Sequence, residues 1–166
     1  MDGKLVKAHF EKMAALIEKH GFTVMGVLSD GTAPGFAYTV GLSEKGLADV
    51  VVLGLDFGTA QQMLSAVAQR LMSKTLTDFN KVEEIATVAL RLVGADDFGG
   101  QVMLSAKNRA IERGGVFTAL QLIYPDEDGH FPDSPRCSAR IVSLQNLEKL
   151  ALMNQPRPDD GSRTLH

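Results

Sequence analysis

The chain has 166 residues, of which 45% are apolar and 22% are charged. That length corresponds to about one domain, and the composition is typical of soluble globular proteins rather than of disordered or fibrous chains. The single cysteine, Cys137, excludes an intramolecular disulfide and a multi-cysteine zinc module. The formal net charge of −3 argues against a protein that mainly neutralises a phosphate backbone, so we do not expect nucleic acid as a partner.

The first half of the chain predicts a helix, three strands and a second helix. In the second strand large residues alternate with small ones, which indicates that one face packs against bulky neighbours and the small face is open to close approach. The third strand is apolar on both faces, which predicts a central position in the sheet. The predicted bounds are helix 5–20, strands 22–28, 36–41 and 50–55, and helix 59–72.

The second half predicts a strand over 85–93, a helix over 103–113, a strand over 116–124 and a turn over 124–132. A final amphipathic helix is expected to follow Ser143 as its N-cap. Together these elements predict a single α+β domain over residues 1–155 and a disordered tail over 156–166. We expect a mixed or antiparallel sheet of about five or six strands, with three or four helices packed on it.

Targeting signals are not evident. Residues 1–10 mix charged and apolar side chains and so lack the continuous apolar region of a secretory signal. The longest apolar run, residues 50–55, is far shorter than the roughly 20 residues that span a bilayer. We therefore expect a cytoplasmic protein with no membrane segment.

Common catalytic motifs do not occur in the sequence. It has no GxxxxGK[ST] phosphate loop, no GxGxxG after a strand, no HExxH and no GxSxG or SxxK. The sequence therefore leaves catalytic residues and any cofactor unassigned, and it predicts no metal site.

An acidic turn surrounds His130, with Asp126, Glu127, Asp128 and Asp133 close in sequence. Carboxylates beside an imidazole can hold a divalent cation or transfer protons, although acidic residues next to Asp-Gly are also typical of any solvated turn. A pairing of His130 with Cys137 is a weaker alternative, because a lone cysteine usually acts as a small apolar side chain.

A basic cluster is the other candidate for chemistry. Lys107, Arg109 and Arg113 share one short predicted helix, where they could bind a small anion or form a solvated charged face. His20 ends the first helix, where it could stabilise the helix dipole or act in a site.

Several segments, taken in order, resemble domain-of-unknown-function family 4262, a bacterial family. The segments are His20-Gly21-Phe22, the stretches 35–42 and 52–55, and the YPDEDGHFP stretch 124–132. The resemblance covers most of the chain up to Pro132 and implies a single-domain bacterial protein. The characteristic positions it implies are His20, Tyr38, Thr39, Gly41, Tyr124, Pro125, Asp126, Gly129 and Pro132.

The chain also departs from the family pattern. Residues 46–49 replace a His-Pro-Glu-Leu segment, which we expect to remove an imidazole and a carboxylate, and Pro132-Asp133 replaces Pro-Trp. If those positions form an active site in the family, this chain has altered it, which favours a binding or inhibitory role over catalysis.

We expect a domain that binds a small anionic ligand, nucleotide- or phosphate-like, in a cleft formed by the small face of the second strand, His20 and residues 124–130. Tyr38 and Thr39 would form hydrogen bonds, Lys107 or Arg109 would supply charge, and His20 or His130 would handle protons. The candidate ligand-binding residues are His20, Tyr38, Thr39, Lys107, Arg109, Tyr124, Asp126 and His130.

Two alternatives of other classes remain open. One is a protein-interaction or inhibitor module, encoded by a phage or another mobile element. The other is a metal-assisted hydrolase or transferase that uses the acidic turn. The sequence leaves open whether the protein is an enzyme and whether it forms a homo-oligomer.

Overall fold

The computed structural model describes residues 3–154 of the chain, which form a five-stranded mixed sheet with six α-helices. The helices are α1 (Gly3–His20), α2 (Phe57–Ser73), α3 (Asp96–Val102), α4 (Leu104–Glu112), α5 (Ala139–Leu144) and α6 (Leu147–Asn154). The strands are β1 (Thr23–Val27), β2 (Phe36–Val40), β3 (Asp49–Leu53), β4 (Arg91–Gly94) and β5 (Ala119–Ile123). The predicted α+β class with a mixed sheet is confirmed.

The strand order is β1-β2-β3-β5-β4. Strands β1, β2 and β3 pair antiparallel through short connections, β3 pairs parallel with β5, and β4 pairs antiparallel with β5. The predicted central strand is therefore confirmed as β3, whose residues are all buried.

Helices cover both faces of the sheet. On one face, α1, α3, α4 and α6 pack against Phe36, Tyr38 and Val40, the large residues of β2. On the other face, α2 packs over Ala37, on the small side of the same strand. The small face does allow close approach, and α2 is the element that packs there, which buries Ala37 and Thr39.

Short helices account for most differences from the predicted elements. Helix α3 was not predicted as a separate element, and the single C-terminal helix is two helices, so the helix count is six rather than three or four in the described residues. Ser143 is not the cap: the Ser138 hydroxyl accepts the Ile141 N–H to start α5, and the Asn146 side chain accepts the Lys149 N–H in the first turn of α6. The predicted strand 85–93 shortens to β4, and the predicted tail, 156–166, lies outside the described residues.

Candidate functional site

A cleft of about 610 Å³ opens where β1, β2 and β3 meet the start of α2. It lies at the carboxyl end of β3 and the amino end of β2. We call it the glycine cleft, and its lining residues are 26–29, 34–37, 54–57 and 144.

Glycines let the walls of this cleft come together. A Cβ at Gly26 would overlap the Phe57 ring, so the ring can lie against the β1 backbone only because Gly26 has no side chain. Gly54 has a φ of +79°, and a Cβ there would lie 2.8 Å from the Tyr124 hydroxyl oxygen. The Gly54 N–H donates to the Gly35 carbonyl at 2.8 Å, which holds the end of β3 against the start of β2.

The walls of the glycine cleft are mostly apolar. Phe57 and Leu28 expose 41% and 86% of their surface at its mouth, and Leu144 of α5 lines it from another element. Of the described residues that line the cleft, none is basic. A ligand in this cleft would therefore meet apolar surface and backbone rather than positive charge.

Asp56 is the charged residue at the cleft. Its carboxylate accepts the Thr59 N–H at 3.0 Å and the Thr59 hydroxyl at 2.7 Å, and the backbone bond is the main reason that the pKa of Asp56 is lowered. The carboxylate thus caps α2 and occupies the place where an anion would bind at a helix N-terminus. This arrangement disfavours an anionic ligand in the glycine cleft.

The loop at the rim is braced by its own side chains. Ser29 Oγ donates to the Ala33 carbonyl at 2.8 Å. Asp30 Oδ1 accepts the N–H groups of Thr32 and Ala33 and the Thr32 hydroxyl, and these bonds, that from Ala33 above all, lower the pKa of Asp30 to about 2. The loop therefore holds its shape without a ligand.

Thr39, predicted to contact a ligand, instead braces the core. Its hydroxyl donates to Asp49 Oδ1 at 2.8 Å and accepts the Val50 N–H at 2.9 Å. The Asp49 carboxylate also accepts the N–H groups of Leu42 and Ser43, both at 3.1 Å. Burial raises the pKa of Asp49 despite these bonds. Within residues 46–49, Asp49 thus supplies a carboxylate that pins the β2–β3 connection.

Both predicted tyrosines are buried. The Tyr38 hydroxyl accepts the Ser105 N–H at 3.3 Å and lies 3.9 Å from Met25 Sδ. The Tyr124 hydroxyl donates to the Leu53 carbonyl at 2.7 Å, and burial raises the pKa of Tyr124 to about 12. Tyr124 supports the floor of the glycine cleft beneath Gly54, and neither tyrosine is on the lining of the cleft.

The predicted charged partners lie elsewhere. His20 is exposed and lines a separate hollow beside β1, and Lys107 is exposed on α4. Arg109 lines a cleft of about 550 Å³ between α1 and α4, and its Nε donates to Glu44 Oε1 at 2.6 Å. Both side chains of that pair are 14% exposed, so the charge of Arg109 already has its partner.

The acidic turn is also held by its own groups. The Asp126 carboxylate accepts the N–H groups of Asp128, His130 and Ser138, and the bond from His130 is the main reason that the pKa of Asp126 is lowered. Partial burial and the charge of Asp126 raise the pKa of the Cys137 thiol, which makes it a weaker nucleophile. Within residues 3–154, no three His, Cys, Asp or Glu side chains are placed to hold a metal ion.

The structure thus brings Asp126 and His130 together, but it places His20, Arg109 and the acidic turn at separate sites. Sequence reasoning missed the lining of the glycine cleft. The available signals were Gly26 inside a strand, the glycines at 35 and 54 where strands begin and end, and Phe57 at the start of a helix.

The family model described as Domain of unknown function (DUF4262) matches residues 16–138. The chain belongs to this family. The matched region contains all five strands of the described sheet and every lining residue of the glycine cleft except Leu144. No curated protein and no solved structure matches the chain. None of the helices described for this family member has the length and apolar character needed to cross a membrane.

Proposed function

We propose that this DUF4262 protein is a small-ligand-binding domain whose ligand occupies the glycine cleft. The observation that supports this proposal is the cleft itself, because its volume of about 610 Å³ and its apolar walls are typical of small-molecule sites. It lies at one end of the sheet, beyond the carboxyl end of β3 and before the amino end of β2.

The lining favours a ligand with an uncharged, flat, largely apolar body. Phe57 offers a partly exposed ring against which an aromatic group can pack, and Asp56 and Ser29 offer oxygen atoms to a hydrogen-bond donor. The anionic ligand expected from the sequence remains a prediction. Its most buried candidate cation, Arg109, lies outside this cleft and is paired with Glu44.

Titration with Nile red, an uncharged aromatic dye, tests the proposal. We expect saturable fluorescence enhancement with the native protein. We also expect Phe57→Ala to weaken binding about fivefold, since an aromatic contact contributes ~1 kcal/mol. Phe79→Ala is the matched control, because Phe79 is 39% exposed, close to the 41% of Phe57, and lies outside the cleft. Equal affinities for the two variants would contradict the proposal.

A thermal-shift panel separates the two ligand classes. Uncharged aromatic compounds are expected to raise the melting temperature of the native protein and to lose this effect in Phe57→Ala. If only nucleoside phosphates raise the melting temperature, the ligand is anionic, as the sequence predicts, and the proposal of an uncharged aromatic ligand is wrong.

The alternative of a metal-assisted hydrolase or transferase gains no supporting observation from the acidic turn. The oxygens of Asp126 are used by the backbone N–H groups of Asp128 and His130 in the turn and by that of Ser138 at the start of α5. For the alternative of a protein-interaction module, the candidate surface is the outer edge of β1, away from the acidic turn.

A further inference from the structure

Strand β1 forms an edge of the sheet, and β2 is the strand it pairs with among the described residues. Within residues 3–154, no other strand pairs with the backbone N–H and C=O groups on its other side. Proteins usually protect such edges with charges, proline or a covering segment, because an open edge is a template for strand addition.

The opposite edge of the same sheet is protected. The Leu92 N–H of β4 donates to the Phe79 carbonyl at 2.7 Å, and Val82 forms a bridge with Leu90 just before the strand. Arg91 of β4 also pairs with Asp133 at 3.0 Å. A covering segment and charges thus protect β4.

In the described part of the chain, edge β1 has none of these protections. Residues 22–29 contain no charged residue and no proline. A hollow of about 350 Å³ follows the strand between α1 and α2, and its walls carry no carboxylate, ammonium or guanidinium group. The residues that line it are Leu16, His20, Phe22, Thr23, Val24, Gln61, Ser65 and Gln69.

The missing charges favour a second copy of this chain as the partner. In a two-fold symmetric contact a charge at the axis faces its own copy, so an edge without charges is suited to self-pairing. A different protein would be selected by complementary charge, which this edge lacks. Exposed apolar side chains continue along the edge, with Val27 43% exposed and Leu28 86% exposed.

We propose that β1 pairs antiparallel with β1 of a second copy of this chain, which joins the two sheets across a two-fold axis. This inference goes beyond the proposed function and does not depend on a ligand in the glycine cleft.

Light scattering coupled to gel filtration, over a concentration series and without ligand, tests the proposal. The native protein is expected at twice the 17.9 kDa mass of the chain. Val27→Lys is expected to raise the dimer dissociation constant about tenfold or more, because it places an ammonium group from each copy in a contact that is otherwise uncharged. The matched control is Val93→Lys on the protected edge, where the valine is 39% exposed, and this variant is expected to remain a dimer.

A second variant covers the case in which Val27→Lys does not fold, as checked by circular dichroism. Gln69→Lys places a charge on α2 beside the edge, leaves the strand unchanged and is expected to dissociate the dimer as well. A monomeric native protein overturns the proposal. This holds also if β1 of the monomer binds an extended peptide. An oligomer that neither Val27→Lys nor Gln69→Lys weakens also overturns it, since the contact then lies elsewhere.

Discussion

Replacing Thr39 by valine removes a hydroxyl that forms two buried hydrogen bonds. The hydroxyl donates to Asp49 at 2.8 Å and accepts from the Val50 N–H at 2.9 Å. Valine has nearly the same shape, so the core stays filled while Asp49 loses one donor and the Val50 N–H loses its acceptor. A buried unsatisfied polar group costs about 1–3 kcal/mol, so we expect the free energy of unfolding to fall by about 2–5 kcal/mol.

Urea denaturation followed by circular dichroism measures this loss, and Thr39→Ser is the control. Serine keeps the hydroxyl and removes one methyl group, so its expected cost is only about 1 kcal/mol. Dye binding in the glycine cleft should be unchanged in the valine variant under native conditions, because Thr39 does not line the cleft. Equal stability of the two variants would refute the bracing role of the hydroxyl, and loss of dye binding by folded Thr39→Val would return Thr39 to the ligand site.

The buried and bracing groups Asp49, Tyr124 and Asp126 can each be tested. Burial raises the pKa of Asp49 in the folded protein above its value in the unfolded chain. The contribution of Asp49 to stability is therefore present below the unfolded pKa and is lost as the pH rises through the folded pKa. Urea denaturation at a series of pH values should show the free energy of unfolding of the native protein, relative to Asp49→Asn, falling as the pH rises between these two pKa values. Tyr124→Phe removes the hydrogen bond to the Leu53 carbonyl and should lower the free energy of unfolding, measured by urea denaturation, by about 1 kcal/mol. In the native protein, ultraviolet titration should show Tyr124 ionising with a pKa of about 12. Asp126→Ala should speed amide hydrogen exchange at His130 and Ser138, and unchanged exchange would contradict the bracing of this turn.

Long periodic elements could be predicted from the sequence. Helices α1 and α2 have 18 and 17 residues, long enough for their apolar spacing to repeat several times. The central position of β3 could also be predicted, because its apolar residues leave no polar face for water. Helix α3 has seven residues, two of them glycine, so neither periodicity nor propensity indicated it.

The candidate site was harder to predict because its contacts are tertiary. The sequence placed Thr39 at a ligand because it lies on the small face of β2 and at a characteristic position of the family. Its hydrogen-bond partner Asp49 is ten residues away across a turn. Arg109 and Glu44, 65 residues apart, neutralise each other in a contact that no local pattern indicates. The glycine cleft is lined mostly by backbone and ordinary apolar side chains, which form no motif.

The most direct measurement of the central claim is a two-dimensional amide NMR titration of the native protein with indole, an uncharged aromatic compound, and in parallel with adenosine monophosphate. Glycine amides are convenient probes, because Gly26, Gly35 and Gly54 line the cleft while Gly94 and Gly129 lie outside it. We predict that indole shifts the three cleft resonances in a saturable manner and leaves the other two unchanged. Shifts confined to the α1–α4 cleft or the acidic turn, or a response to adenosine monophosphate alone, would contradict a ligand site in the glycine cleft.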